Sequence, residues 1–224
     1  RFDEAVKRDL LSDYKVLVIA VDELHVSQVL NQRIADSGDE LKLDDAVKIV
    51  GCWNGLGKHV AAEDGMDISA DPQAMRTAIA FAQSIKHSKL LTAEFERISN
   101  DLADEIDYLP ALEAKHVDGT MNVVERNQKL SWLKGNIGKD EPVCRILTNA
   151  RCLSEGVDVP ALDAAIFLNP RDSVVDVVQS VGRVMRKDPA GRKKYGYVIL
   201  PIGIRKDTSP EAALDDNKKY RVVW

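Results

Sequence analysis

Arg183 and Arg186 stand three residues apart in the stretch DVVQSVGRVMRK (176–187), with Gln179 one turn before them. At about 100° per residue, Val174, Val177, Val178, Val181, Val184 and Met185 fall on one arc of a helix, and Gln179, Arg183 and Arg186 fall on the opposite arc. Two guanidinium groups at that spacing can converge on a single anion, and their planar forks suit phosphate oxygens. Gln179 can orient an arginine, a water or a phosphate oxygen. The commonest fate of such arginines is an exposed cationic face. Gly182 argues against that reading, because a mid-helix glycine costs roughly 0.8–1 kcal/mol relative to alanine and implies that something packs closely on the backbone.

A second constellation lies upstream, in TNARCLSEGVDVPALDAAIF (148–167). Its centre is Glu155-Gly156-Val157-Asp158, with Pro160 stopping any helix. Gly156 permits a turn or a close backbone approach, and Asp158 supplies an acceptor. Thr148 ends an apolar run, where a hydroxyl and a backbone N–H can hold a phosphate. Taken alone, this loop reads first as a helix end with an ordinary turn and a surface acid.

Several elements must position these residues. YKVLVIAV (14–21) is a short, branched apolar run that predicts a strand, and helical spacing follows over 25–36 and 43–56. Residues 60–72, with Gly65 and many small or polar side chains, read as a linker. From Ala74 the pattern alternates: a strand at 76–83, a helix at 84–99, a weaker strand at 113–121 and a helix at 122–135. Strands at 144–148 and 164–169 precede the arginine helix, and YGYVILPIGI (195–204) is the last strand. Such alternation predicts an α/β fold, a mostly parallel sheet with helices on both faces. Ligands of such sheets bind beyond the carboxyl ends of the strands, so the loops after residues 83, 115, 148 and 169 are the ones to inspect.

Composition narrows the classes. A net charge of −5 gives no global basic field, although Arg183, Arg186, Lys187, Arg192, Lys193, Lys194, Arg205 and Lys206 make the late part of the chain basic. Cys52, Cys144 and Cys152 form no C-x-x-C pair and the four histidines lack ligand spacing, so reduced thiols in a cytoplasmic protein and no metal site are expected. No apolar run approaches the roughly 20 residues of a membrane span, and no signal peptide is visible. A chain beginning at Arg1 reads as a piece of a longer polypeptide.

Together, Glu155-Gly-Val-Asp-Val-Pro160 and Gln179-Ser-Val-Gly-Arg183-Val-Met-Arg186 resemble motifs V and VI of superfamily 2 helicases, the DEAD/DEAH-like ATP-driven nucleic-acid motors. RTAIAFAQS (76–84) is similar to the motif IV strand, and His116-Val-Asp-Gly119 with Arg126 is similar to the H-G…R segment of motif IVa. The resemblance covers residues 74–204. LLSDYKVLVIAVDE and KIVGCWNGLGK also look like the large bacterial helicases tied to restriction–modification systems.

The resemblance implies a RecA-like domain of the P-loop NTPase type that closes over ATP and Mg²⁺ held by a preceding ATP-binding domain of the same polypeptide. Carried over, Arg183 and Arg186 would be arginine fingers, with Gln179 positioning phosphate or water. Gly156 and Asp158 would line the nucleotide cleft. Thr148, His116, Gly119 and Arg76 would lie along a nucleic-acid groove, contacting mainly phosphates, with DNA favoured over RNA. The expected divisions are a linking strand and helical segment at 1–72, the helicase domain at 73–206, and a polar tail at 207–224. Whether residues 14–21 join this sheet or the preceding domain stays open.

No G-x-x-x-x-G-K-[ST] is present, since Gly57-Lys58-His59 has the wrong upstream spacing and no following Ser or Thr, and no D-E-x-[DH] motif is present either. The chain alone should therefore hydrolyse ATP poorly. Two other readings compete. One is a non-catalytic nucleic-acid or protein-binding module on a RecA-like scaffold. The other is a metal-dependent nuclease built on Glu113-Ala-Lys115 with Asp107, an acid and lysine pattern that can hold Mg²⁺ and steady a water.

Overall fold

The computed structural model describes residues 2–8, 10–36, 41–59, 71–103, 109–135, 143–150, 162–169, 177, 180–182, 184–187 and 195–204. In chain order the elements are α1 (Phe2–Lys7), β1 (Asp13–Asp22), α2 (Glu23–Val29), α3 (Asn31–Asp36), α4 (Leu43–Leu56), β2 (Thr77–Phe81), α5 (Ile85–Asp101), β3 (Ala111–His116), α6 (Val123–Lys134), β4 (Val143–Asn149), β5 (Ala164–Phe167) and β6 (Tyr195–Ile204).

The six strands form one sheet in the order β1-β6-β5-β2-β4-β3, and every neighbouring pair is parallel. Strands buried on both faces need apolar side chains at odd and even positions alike. β2 shows this directly. Ala78 and Ala80 enter the core under α4 and α5, while Ile79 and Phe81 enter the opposite core with Leu130 and Leu133 of α6. The second core also receives Val177, Val181, Val184 and Met185. The α/β architecture with helices on both faces is thus as the alternation predicts.

β1 answers the question left open by its sequence. It runs parallel to β6 over ten residue pairs, from Asp13–Tyr195 to Asp22–Ile204, and so belongs to this sheet. α4 holds the two strands together. A Cβ at Gly51 would stand 2.9 Å from the Pro201 Cβ, so only glycine lets the helix approach β6 this closely. The Trp53 indole donates to the Pro110 carbonyl at 2.7 Å and fixes the far end of α4 to the start of β3.

Element boundaries depart from expectation in two instructive places. The single helical pattern over 25–36 is two short helices, broken at Leu30, whose backbone (φ −104°, ψ 14°) lies outside the helical region while its side chain is buried. The weak strand over 113–121 stops at His116 because the Asp118 carboxylate accepts from the Thr120 N–H and hydroxyl and folds the following residues into a turn. Among the described residues, no helix is long and apolar enough to cross a membrane.

Candidate functional site

Parallel strands bring all their carboxyl ends to one edge, and backbone bonds carry the pairing past the last strand residues there. Val117 N–H donates to Thr148 O (2.9 Å), Ala82 N–H to Asn149 O (2.8 Å) and Leu168 N–H to Phe81 O (3.1 Å). The edge therefore gathers the ends of β2, β3, β4 and β5 together with the N-terminus of α5. Ser84 caps α5 through the His87 N–H at 3.1 Å, and Asn122 caps α6 through the Glu125 N–H at 2.9 Å.

Thr148, His116 and Gly119 meet at this edge. His116 lies opposite Thr148 in register. Its Nε2 stands 2.8 Å from Asp118 Oδ2 and its Nδ1 2.8 Å from Ser88 Oγ, while Gly119 is exposed at the tip of the loop. Thr148 is fully buried. Its hydroxyl is engaged by Ser88 and Thr92 of α5, so a phosphate could reach that oxygen only if this cluster opened.

The electrostatics follow from the burial. Hydrogen bonds from the Thr120 hydroxyl first, and from His116 next, hold the Asp118 carboxyl well below the usual carboxylate range. Burial pushes the His116 imidazole below its ordinary value, with Asp118 pulling partly the other way and Lys89 and Lys129 adding to the lowering. The Lys89 amine is 3.8 Å from Asp118 Oδ2.

Arg76 does not join this group. It precedes β2, at the amino end of the sheet, where the Asp163 carboxylate accepts from the Arg76 and Thr77 N–H groups at 2.9 and 3.0 Å. The five residues of β2 separate it from the carboxyl edge, roughly 16 Å at about 3.3 Å per residue. A shared groove with His116 and Gly119 does not follow from this placement.

Gln179, Arg183, Gly156 and Asp158 lie outside the described residues. Of the arginine helix, Val177, Ser180–Gly182 and Val184 are helical, and Val177, Val181, Val184 and Met185 are buried against the sheet. Arg186 is exposed just past that stretch. Its backbone neighbourhood is held firmly, since the Ser12 N–H donates to the Met185 carbonyl at 2.8 Å.

Two other sequence features have structural occupations. Glu113 accepts from Arg145 Nε at 3.0 Å, and Arg145 also donates to the Trp132 and Gly135 carbonyls at the end of α6. The Lys115 amine sits 4.5 Å over the Trp132 ring. Glu113 and Lys115 thus pin α6 to the sheet edge, Asp107 lies outside the described residues, and no metal-binding group of three ligands occurs among the described residues. Lys58 is bound at the amino end of the sheet, paired with Asp71 at 2.8 Å and lying 4.7 Å over the Tyr197 ring. That is the wrong end of a parallel sheet for a phosphate-binding lysine.

Sequence reasoning missed Ser88, Thr92 and Asp118. A signal was available in the first two, because Ser84, Ser88 and Thr92 recur every four residues and so line one stripe of α5.

An all-parallel, two-sided sheet with its polar cluster at the carboxyl edge defines a RecA-like α/β domain. Residues 64–188, more than half of the chain, match the family described as helicase conserved C-terminal domain, and the chain belongs to that family. Its fold is that of the C-terminal domain of superfamily 2 helicases.

Among solved structures, the ATP-dependent Type ISP restriction-modification enzyme LlaBIII bound to DNA is 42% identical, with a TM-score of 0.80, over 100% of this chain and 14% of that one. A fragment from Vibrio vulnificus YJ016, assigned as the HsdR subunit of a type I restriction enzyme, shares the fold at 18% identity and a TM-score of 0.53, over 98% of this chain and 36% of that one. A protein of African swine fever virus named "Probable helicase A859L" is 41% identical over 64 residues, which is 29% of this chain and 7% of the viral one. The chain therefore spans a small part of these longer relatives.

Proposed function

We propose that this chain is the second RecA-like domain of an ATP-driven DNA helicase or translocase working within a restriction–modification type of enzyme. The observation that carries the reading is the parallel sheet itself. It brings the loop after β3 and the end of β4 to one edge, and Val177, Val181, Val184 and Met185 pack the segment before Arg186 against the same sheet, which supports reading that segment as motif VI.

The described residues fit a nucleotide approached from outside better than one enclosed within this chain. Lys58, the sole P-loop-like lysine of the sequence, is occupied at the opposite edge. In this account a preceding domain of the polypeptide holds ATP and Mg²⁺, which supply the phosphoryl chemistry. Arg183 and Arg186 neutralise charge that develops on the transferred group, and Gln179 orients a phosphate oxygen or water. Gly156 and Asp158 line the cleft. The loop carrying His116 and Gly119 tracks the DNA backbone, giving contacts that weaken with salt and carry little sequence preference.

The test is ATP hydrolysis by the full-length enzyme with and without DNA. Stimulation by DNA that declines as salt rises is the expected result. Hydrolysis indifferent to DNA would favour the non-catalytic scaffold.

A further inference from the structure

Ser88 occupies the centre of a polar cluster between α5 and the sheet. It is fully buried. Its Oγ stands 2.8 Å from His116 Nδ1 and 2.9 Å from Thr148 Oγ1, and the Thr92 hydroxyl reaches both Thr148 Oγ1 and the Ser88 carbonyl. On its far side, His116 continues the connection to Asp118 and through it to Thr120 in the exposed turn. Three elements thereby meet at one hydroxyl: helix α5, the last residue of β3, which leads into the loop, and the last residues of β4.

Proton bookkeeping shows why a serine suits the position. A neutral imidazole that donates from Nε2 to Asp118 leaves Nδ1 as an acceptor, so the Ser88 hydroxyl turns towards it. An imidazolium donates from both nitrogens, and the Ser88 hydroxyl then donates to Thr148 instead. Either way every member of the cluster keeps a partner. Filling the α5–sheet interface requires none of this, since neighbouring positions do so with Leu91, Phe95, Ala114 and Ile146. A buried polar group is costly unless fully bonded, so the cluster specifies a relative arrangement of the two loops that an apolar contact would not.

We propose that Ser88 is a positioning residue that couples the His116–Gly119 loop to the end of β4, so that DNA seated at the first sets the geometry of the motif V segment that β4 opens. The proposal rests on the function proposed above. Ser88 touches neither DNA nor nucleotide in this account. It acts through His116 and Thr148.

The experiment is DNA-stimulated ATP hydrolysis by the full-length enzyme carrying Ser88→Ala, with Ser88→Cys as the conservative replacement. Losing the shared hydroxyl should lower kcat at saturating DNA by about 5- to 10-fold, the effect of one buried hydrogen bond, with the KM for ATP unchanged. Ser88→Cys should recover part of that loss. A purely structural role would lower Tm and leave kcat at saturating DNA within twofold of wild type, and that result overturns the proposal. If Ser88→Ala does not fold, Thr92→Val removes the two Thr92 links and leaves the Ser88–His116 contact in place while keeping the branched shape, and the same split decides. A wild-type enzyme whose hydrolysis ignores DNA would instead bring down the parent reading, and this one with it.

Discussion

The backbone of Gly196 in β6 lies directly against the carbonyl of Val184, which follows Arg183 in sequence. A Cβ built at Gly196 would stand 2.3 Å from that oxygen and 2.7 Å from its carbon. Neither atom belongs to a flexible side chain, so the clash cannot be relieved by a rotamer change. Gly196→Ala should therefore push the arginine-bearing segment off the sheet, at a cost of about 1–3 kcal/mol typical of overpacking. A urea titration reads the cost directly. An unchanged midpoint would mean that the segment is not seated where Val184 lies.

Lys58 is a structural lysine in this account. It is 5% exposed, bound to Asp71 and stacked on Tyr197, whose hydroxyl donates to the same Asp71 carboxylate at 2.7 Å. Removing one partner of a buried pair costs about 3–5 kcal/mol, and the lower end applies because Asp71 is 19% exposed and keeps Tyr197. Lys58→Met should lower the unfolding free energy in a urea titration by that amount and leave the KM for ATP as it was. Loss of ATP binding would restore the P-loop reading of Gly57-Lys58-His59.

Acid should weaken the carboxyl edge through Asp118 and His116 together. Asp118 titrates lower in the folded chain than in the unfolded one, so its contribution is complete above about pH 5 and fades as pH falls through 4 and below. His116 is also lowered, so the unfolded chain takes up a proton that the folded one resists, and stability declines once pH drops below about 6.5. Asp118→Asn should cost about 1.5–3 kcal/mol at pH 7, the range for hydrogen bonds to a charged group, and should flatten the dependence below pH 5. Urea midpoints at pH 4, 5.5 and 7 check this. Parallel curves for wild type and variant would refute it.

Much of the fold was legible in the sequence because buried parallel strands are continuous apolar runs. Residues 43–56 and 195–204 read correctly to the residue as α4 and β6. The break at Leu30 and the early end of β3 were not legible, since apolar spacing runs unbroken through the first and a side-chain-to-backbone turn decides the second. The site was legible in its ordering of motifs and less so in its contacts. Arg76 looked like a groove residue by proximity to a motif, yet position along the strand sets it at the opposite edge. Thr148 looked like a surface hydroxyl at a strand end, and only the packing of α5 over β4 reveals that Ser88 and Thr92 already hold it. Glu113 and Lys115 looked like metal chemistry, whereas their partners Arg145 and Trp132 come from distant parts of the chain.

The central claim is that Arg183 and Arg186 complete an ATP site belonging to another domain. The most direct measurement is kcat for DNA-stimulated ATP hydrolysis by the full-length enzyme carrying Arg183→Ala or Arg186→Ala. Each should reduce kcat by roughly 10³-fold or more, the scale of an arginine finger, with DNA still bound. Hydrolysis that persists near the wild-type rate in both variants would contradict the account.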